Sequence, residues 1–465
     1  MSTQVVRGAG RVAVAMLLVG AAELAAPRAC ADEPAVPAVL WRLETASDSK
    51  GSAHVADVDG DGRLEIVFGT YFGDAKLRAV NAEDGSVLWE HASDGGPFDA
   101  SVAIADLDHD GTLEVLAADS ATGKLRCLEG RTGVVRWTID LPSGTDSPPA
   151  IADLDGDGSP EIVVGTMWRP AGRGNRPLGG FVCAYRAKDR ALVWQQEVAG
   201  CVQSEPCVSD VDGDGDLDVV VTSWRGDDGI HAFDGRTGGR LWKVETEKVG
   251  DSPGMYHGVA AIPTRAGTLT VAATCAGGLY GIDGAGKVAW HRTIPHEYLF
   301  APPTAADLDG DGAVEVVIGG RACLFAIDAA TGRERWRVDL EHAIDRGTAA
   351  IDLDGDGACE LVYAEGTCIV VREGATGKER WRHQAKVRGA AWEEISSGPV
   401  LADFDGDGAL DLFFVVGSGT SGDEQAKNFG VAIALRVGKA GSAGPSWPTF
   451  RGNLRRTGTA PRRTY

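Results

Sequence analysis

Seven times this chain writes Asp at positions 1, 3 and 5 of a nine-residue stretch, Gly at 6 and an acid at 9, and then runs into a short apolar segment. The first copy is Asp57-Val58-Asp59-Gly60-Asp61-Gly62-Arg63-Leu64-Glu65, and the others begin at Asp106, Asp153, Asp210, Asp307, Asp352 and Asp403. Four carboxylates within nine residues repel one another, so such a loop is unfavourable unless a hard cation sits among them. Seven copies in register predict a repeating fold loaded with Ca²⁺, with up to seven sites. The formal charge of −22 has the same origin: four acids in each of the seven copies leave 39 others against 45 Lys and Arg. The acidity is therefore a property of these loops and says little about partners, except that nucleic acid is not expected.

A second periodicity runs beside the first. Each acidic loop leads into an apolar strand such as Glu161-Ile162-Val163-Val164, then a second strand that closes in a turn such as Asp328-Ala329-Ala330-Thr331-Gly332, then a third strand carrying Trp. The tryptophans are Trp41, Trp89, Trp137, Trp194, Trp242, Trp290, Trp336 and Trp381, eight against seven acidic loops. The missing loop falls in Ile262–Thr270, which aligns on Gly267 and keeps the following strand but has no carboxylate. Starts of consecutive motifs lie 49 residues apart at Asp57 and Asp106 and 45 apart at Asp307 and Asp352, the length of one four-stranded propeller blade.

The ends predict how the ring closes. The last unit lacks a Trp strand, and the first Trp strand, Val39-Leu40-Trp41-Arg42-Leu43, has no unit before it. An N-terminal strand completing the eighth blade accounts for both and removes the free edges. The fold class expected is all-β, an eight-bladed propeller of four-stranded antiparallel blades closed in this way; a seven-bladed ring with one stray unit is the alternative. The tryptophans are expected to fill the space between neighbouring sheets.

Residues 1–31 read as a secretory signal. Arg7 and Arg11 precede the apolar run 12–22, and Ala29-Cys30-Ala31 offers a cleavage site. Glu23 and Arg28 cut that run short of a bilayer span, and no later segment is long enough. The chain is thus expected to be exported, to the periplasm, the cell surface or the medium. The propeller is placed at 32–437 and a small-residue linker with a basic tail at 438–465. Eight cysteines follow the cleavage site, and Cys201 with Cys207 is the first pair to test for a disulfide.

These loops resemble FG-GAP (integrin-α-type) repeats. They also resemble EF-hand loops over six positions, but the last acid is at 9 rather than 12 and strands flank it. The Thr-Gly-x-x-x-Trp turns resemble the repeats of pyrroloquinoline-quinone-type propellers, so the chain looks like a bacterial FG-GAP/quinoprotein-like propeller over nearly all its mature length. The resemblance implies Ca²⁺ ligands at positions 1, 3, 5 and 9 and at the carbonyl of position 7. In the first loop these are Asp57, Asp59, Asp61, Arg63 and Glu65; in the second, Asp106, Asp108, Asp110, Thr112 and Glu114. The third and fourth supply Asp153, Asp155, Asp157, Ser159 and Glu161, then Asp210, Asp212, Asp214, Asp216 and Asp218. Asp307, Asp309, Asp311, Ala313 and Glu315 form the fifth, and Asp352, Asp354, Asp356, Ala358 and Glu360 the sixth. The seventh has Asp403, Asp405, Asp407, Ala409 and Asp411. The resemblance also implies a redox branch, a quinone-dependent dehydrogenase. Such enzymes typically carry a vicinal disulfide in an axial pocket, and this sequence contains no Cys-Cys pair.

The loops expected on the face opposite the acidic hairpins carry aromatic residues: Tyr71, Trp168 with Arg169, Trp224 with Arg225, and Trp392. Aromatic rings beside charged groups suit either carbohydrate or a protein partner. The axial entrance is expected to be lined by residues just before each innermost strand, namely Lys50, Asp99, Asp146, Gln203, Glu205, Tyr256, His257, Asp345, Arg346 and Ser397. A binding or scaffold module for carbohydrate or an envelope or extracellular protein is the first reading. A lyase acting on uronic-acid glycans is the second; it would need a base and a carboxylate-neutralising group, with Tyr256, His257, His296 and Arg346 as candidates.

Overall fold

The computed structural model describes residues 37–167, 179–248, 254–390 and 392–438. The expected signal segment, Trp168, Arg169 and the basic tail lie outside them. Among the described residues no helix is long and apolar enough to cross a membrane.

The described chain forms eight antiparallel four-stranded sheets, numbered here as blades 1–8. Blade 1 runs through His54–Ala56, Glu65–Gly69, Lys76–Asn81 and Val87–Ala92, and blades 2–7 repeat the pattern in chain order. The innermost strands are only three residues long in every blade but the fifth, where the strand is Ala260–Thr264. The second strands are almost wholly buried, as in Glu161–Gly165, because each faces a neighbouring sheet on both sides; Gly267–Ala273 of blade 5 is buried only along its middle. The apolar runs after the acidic loops meet this demand.

Blade 8 takes Val400–Ala402, Asp411–Ser418 and Phe429–Arg436 from the C-terminal end and Ala38–Thr45 from the N-terminal end. The N-terminal strand pairs from Ala38↔Arg436 to Thr45↔Gly430. The ring is therefore eight-bladed and closed by strand exchange, and the seven-bladed alternative does not hold. Blade 5, which lacks the acidic loop, turns between Thr264 and Gly267 through Arg265-Ala266. The Thr264 hydroxyl donates to the Gly267 carbonyl at 2.5 Å.

Five of the tryptophans stitch one blade to the next. The indole N–H of Trp41 donates to the Ala82 carbonyl at 2.7 Å, that of Trp89 to Gly130 at 2.7 Å and that of Trp194 to Gly235 at 2.6 Å. Trp290 and Trp336 make the same bond to Ala329 and Gly374. Each acceptor lies in the turn between the second-last and last strands of the following blade, a Thr-Gly turn in all but blade 1, where Asp84-Gly85 takes its place. The turn Gly is required twice over at Gly133: its φ is +68°, and a Cβ there would come within 2.5 Å of the Trp89 ring.

One expectation needs correcting. All eight cysteines of the described chain are thiols rather than disulfides. Cys207 lies on the innermost strand of blade 4, and Cys201, in the loop before it, pairs its backbone with that of Trp224.

Candidate functional site

The topology gives the ring two functional faces. Each acidic loop joins a first strand to a second, whereas the approach to the first strand and the hairpin between second and third strands lie at the opposite end.

On the acidic face the loops share one wiring. The N–H of Gly at position 6 donates to the Asp at position 1, at 3.0 Å in Gly62–Asp57 and in Gly158–Asp153. One oxygen of the acid at position 9 accepts the N–H of position 2: Val58–Glu65 at 2.9 Å, Leu154–Glu161 at 2.8 Å, Phe404–Asp411 at 3.0 Å. The same bond recurs at Glu114, Asp218, Glu315 and Glu360. This bond turns the acid inward, toward the Asp cluster. Ligand oxygens of Asp57, Asp59 and Asp61 lie within 4.8 Å of one another, as do those of Asp153, Asp155 and Glu161, and those of Asp210, Asp212 and Asp218.

The donor set fits a hard cation. The second oxygens of Glu65 and Glu161 and one oxygen of Asp153 are buried with no hydrogen-bond partner. Burial, reinforced by the neighbouring aspartates, pushes the carboxyls of Glu65, Glu161 and Asp218 up to about 7, and those of Glu315 and Glu360 to the same value despite their arginines. An ion bound at positions 1, 3, 5 and 9 would satisfy these oxygens and offset the repulsion.

The opposite face carries a ring of side chains set by register. The residue four before each innermost strand is Lys50, Asp99, Asp146, Gln203, Tyr256, Phe300, Asp345 and Ser396 in blades 1–8. All but Gln203 line one axial cavity of about 250 Å³, together with Tyr71, Arg346 and Glu394. Gln203 closes its wall, donating to Asp146 at 2.6 Å.

The ring is lopsided. Lys50 binds Asp48 at 2.9 Å and Glu394 at 3.2 Å and donates to the Ser396 hydroxyl at 3.0 Å. Asp99 and Asp146 each leave one buried oxygen without a partner, and burial raises both carboxyls, with their mutual repulsion adding at Asp99. Beside them, Tyr256, whose hydroxyl reaches Asp146, stacks on Phe300 with centroids 4.9 Å apart. The cavity continues into a groove of about 620 Å³ that shares Asp345, Arg346 and Glu394 and is also lined by Trp392, 79% exposed.

The candidates separate accordingly. Tyr71, Tyr256 and Arg346 line the cavity, and Trp392 lines the groove. Trp224 is half-buried and braces the cavity from behind, edge-on to Tyr256 at 5.2 Å, with Arg225 over its outer face at 5.5 Å. His257 is buried beneath, its Nδ1 on Glu205 at 2.9 Å. His296 is exposed and lines neither cavity nor groove. The Tyr256 hydroxyl donates to Asp146 at 3.1 Å, and burial beside that carboxylate pushes its ionisation well above the usual phenol value. Phe300 escaped sequence reasoning because no motif marks it; the four-residue offset it shares with Tyr256 was the signal that finds it.

Known proteins match these features. Residues 176–299 and 296–419 match the family described as outer membrane protein assembly factor BamB, and residues 57–117 and 106–164 match the FG-GAP-like repeat. No curated protein sequence matches the chain. Among solved structures, quinohemoprotein alcohol dehydrogenase ADHIIG from Pseudomonas putida HK5 superposes with a TM-score of 0.58 at 14% identity, over 88% of this chain and 77% of that one. BamB from Moraxella catarrhalis does so at 0.52 and 17%, over 87% and 98%. The V. cholerae biofilm matrix protein Bap1 does so at 0.50 and 16%, over 92% and 96%. At such identities the likeness is one of fold. The BamB matches span more than half of the 465 residues, and with the repeating acidic loops they show that the chain belongs to the PQQ/BamB-like and FG-GAP repeat β-propellers.

Proposed function

We propose that this chain is an exported, Ca²⁺-stabilised binding module that holds a carbohydrate at its axial mouth. The observation that carries the reading is the lopsided ring: stacked Tyr256 and Phe300 line the same cavity as Asp99 and Asp146, each of which keeps one unpartnered buried oxygen. A sugar offers an apolar ring face to the first and hydroxyl donors to the second, and a concave site with a few convergent polar groups suits it. The groove lined by Trp392 gives room for further units of a chain. Export is supported by the 1–31 segment, and an extracytoplasmic setting is in keeping with a fold neighbour that is a biofilm matrix protein.

Lyase chemistry has less support. Tyr256 holds its proton against Asp146, His257 is buried on Glu205, and His296 lines neither cavity nor groove, so none of the three expected bases is presented free beside Arg346. The acids of the mouth would also repel a uronate.

A glycan panel tests the proposal. The parent protein should retain at least one oligosaccharide, and Asp99→Asn and Phe300→Ala should each weaken binding about tenfold, roughly 1.4 kcal/mol. Binding to no glycan, or binding unchanged in both variants, would remove the mouth from the account. Ultraviolet absorbance from unsaturated uronate products would favour the lyase instead.

A further inference from the structure

The seven acidic loops differ in one respect that their motif hides. In blade 2, Arg136 reaches across its own sheet to Glu114 and to Asp108, the latter at 2.9 Å. In blade 6, Arg335 pairs with Glu315 at 2.7 Å and with Asp309; in blade 7, Arg380 pairs with Glu360 at 2.6 Å and Asp354 at 2.9 Å. In blade 8 the guanidinium comes from another strand. Arg436 meets Asp407 at 2.6 Å, Asp411 at 3.4 Å and Asp405. Each of these arginines therefore bridges the acid at position 9 and an Asp at position 3, two of the residues that would hold an ion.

Arg136, Arg335 and Arg380 each directly precede the blade's Trp. The corresponding residues in blades 1, 3 and 4 are Leu88, Val193 and Leu241, which cannot fill that role. The oxygens of Glu65 and Glu161 that lack a partner belong to blades 1 and 3, while the equivalent oxygens of Glu114, Glu315 and Glu360 accept from arginine. Among the described residues, the other guanidinium groups near these loops pair with none of Glu65, Glu161 and Asp218: Arg131 and Arg236 donate to the carbonyls of Asp59 and Asp155, Arg236 also lies 3.6 Å from Asp216, and Arg63, solvated, lies 3.7 Å from Asp61.

We propose that the loops are two kinds of site: those of blades 1, 3 and 4 take Ca²⁺ tightly, whereas in blades 2, 6, 7 and 8 an arginine already holds the ion's place. The inference rests on the calcium reading proposed above. A guanidinium bridging two carboxylates supplies the same neutralisation in fixed planar geometry, and an entering ion must first displace it. One arc of the ring thus depends on calcium, and the other carries its own counter-ions.

Calcium titration of the chelated full-length protein, by calorimetry and equilibrium dialysis, tests this. Three tight ions per chain are expected, with any others at least tenfold weaker. Arg335→Leu and Arg380→Leu should each add one tight ion and together add two, while Val193→Arg should remove one; circular dichroism confirms the fold of each variant. Seven equivalent ions, or counts that no substitution moves, would overturn the partition. Binding of no calcium by the parent or any variant would instead overturn the calcium reading itself.

Discussion

A chain lacking residues 37–46 is expected to lose its closed ring and most of its soluble yield. The missing strand pairs along its whole length with Phe429–Arg436, which is buried at all but its last residue. Its removal exposes that strand as an open edge, a template for intermolecular pairing. It also removes Trp41, which is 8% exposed, donates to Ala82 and packs 5.9 Å from Phe413. Loss of a buried Trp alone costs about 3–5 kcal/mol, and the lost ladder adds to it. Size-exclusion chromatography should show aggregate in place of monomer, and a synthetic peptide of residues 37–46 should partly restore monomer. A truncated monomer that melts within a few degrees of the intact chain would mean that strand exchange does not hold the ring shut.

Removal of calcium is expected to lower the melting temperature by about 10 °C. A site at a hundredfold excess of free ion over its Kd contributes about 2.7 kcal/mol, so three tight sites contribute about 8 kcal/mol. For a domain of roughly 400 residues the unfolding entropy is about 0.9 kcal/mol per degree, which converts that loss to the stated shift. The effect has a defined pH dependence. In the chelated protein the carboxyls of Glu65, Glu161 and Asp218 sit at about 7, above their unfolded values. The stability these groups contribute is complete below the unfolded value and is lost as pH rises through 7. Calcium needs the ionised form, so the gap between loaded and chelated melting temperatures should be widest at pH 8 and narrow toward pH 5.5. Scanning calorimetry at both pH values, with and without chelator, measures it; a gap that widens on acidification would contradict the assignment of these carboxyls.

Much of this architecture was legible because it repeats. Asp loops and Trp strands on a common spacing announced eight blades, and a Trp strand ahead of the first loop announced the exchange at Ala38–Thr45. The blade without carboxylates was found at Ile262–Thr270 because its Gly267 and following strand kept register. What did not repeat was harder. Trp224 was expected on an open rim, but Tyr256 and Phe300 at its edges draw it into a supporting layer. Phe300 carries no motif of its own. The arginines that fill four loops lie about 20 residues beyond the acids they pair with, as in Glu114 and Arg136, and only the strand crossing brings them together. Local chemistry shows in a sequence; side chains reaching across a sheet show only once the sheet is built.

The claim underlying all of this is that divalent ions make the acidic hairpins tolerable. Elemental analysis of the protein, purified without chelator and dialysed against micromolar calcium, tests it most directly. The account predicts about three calcium ions per chain, released by chelator together with the drop in melting temperature. A protein that carries no calcium, and melts at the same temperature with and without chelator, would contradict it.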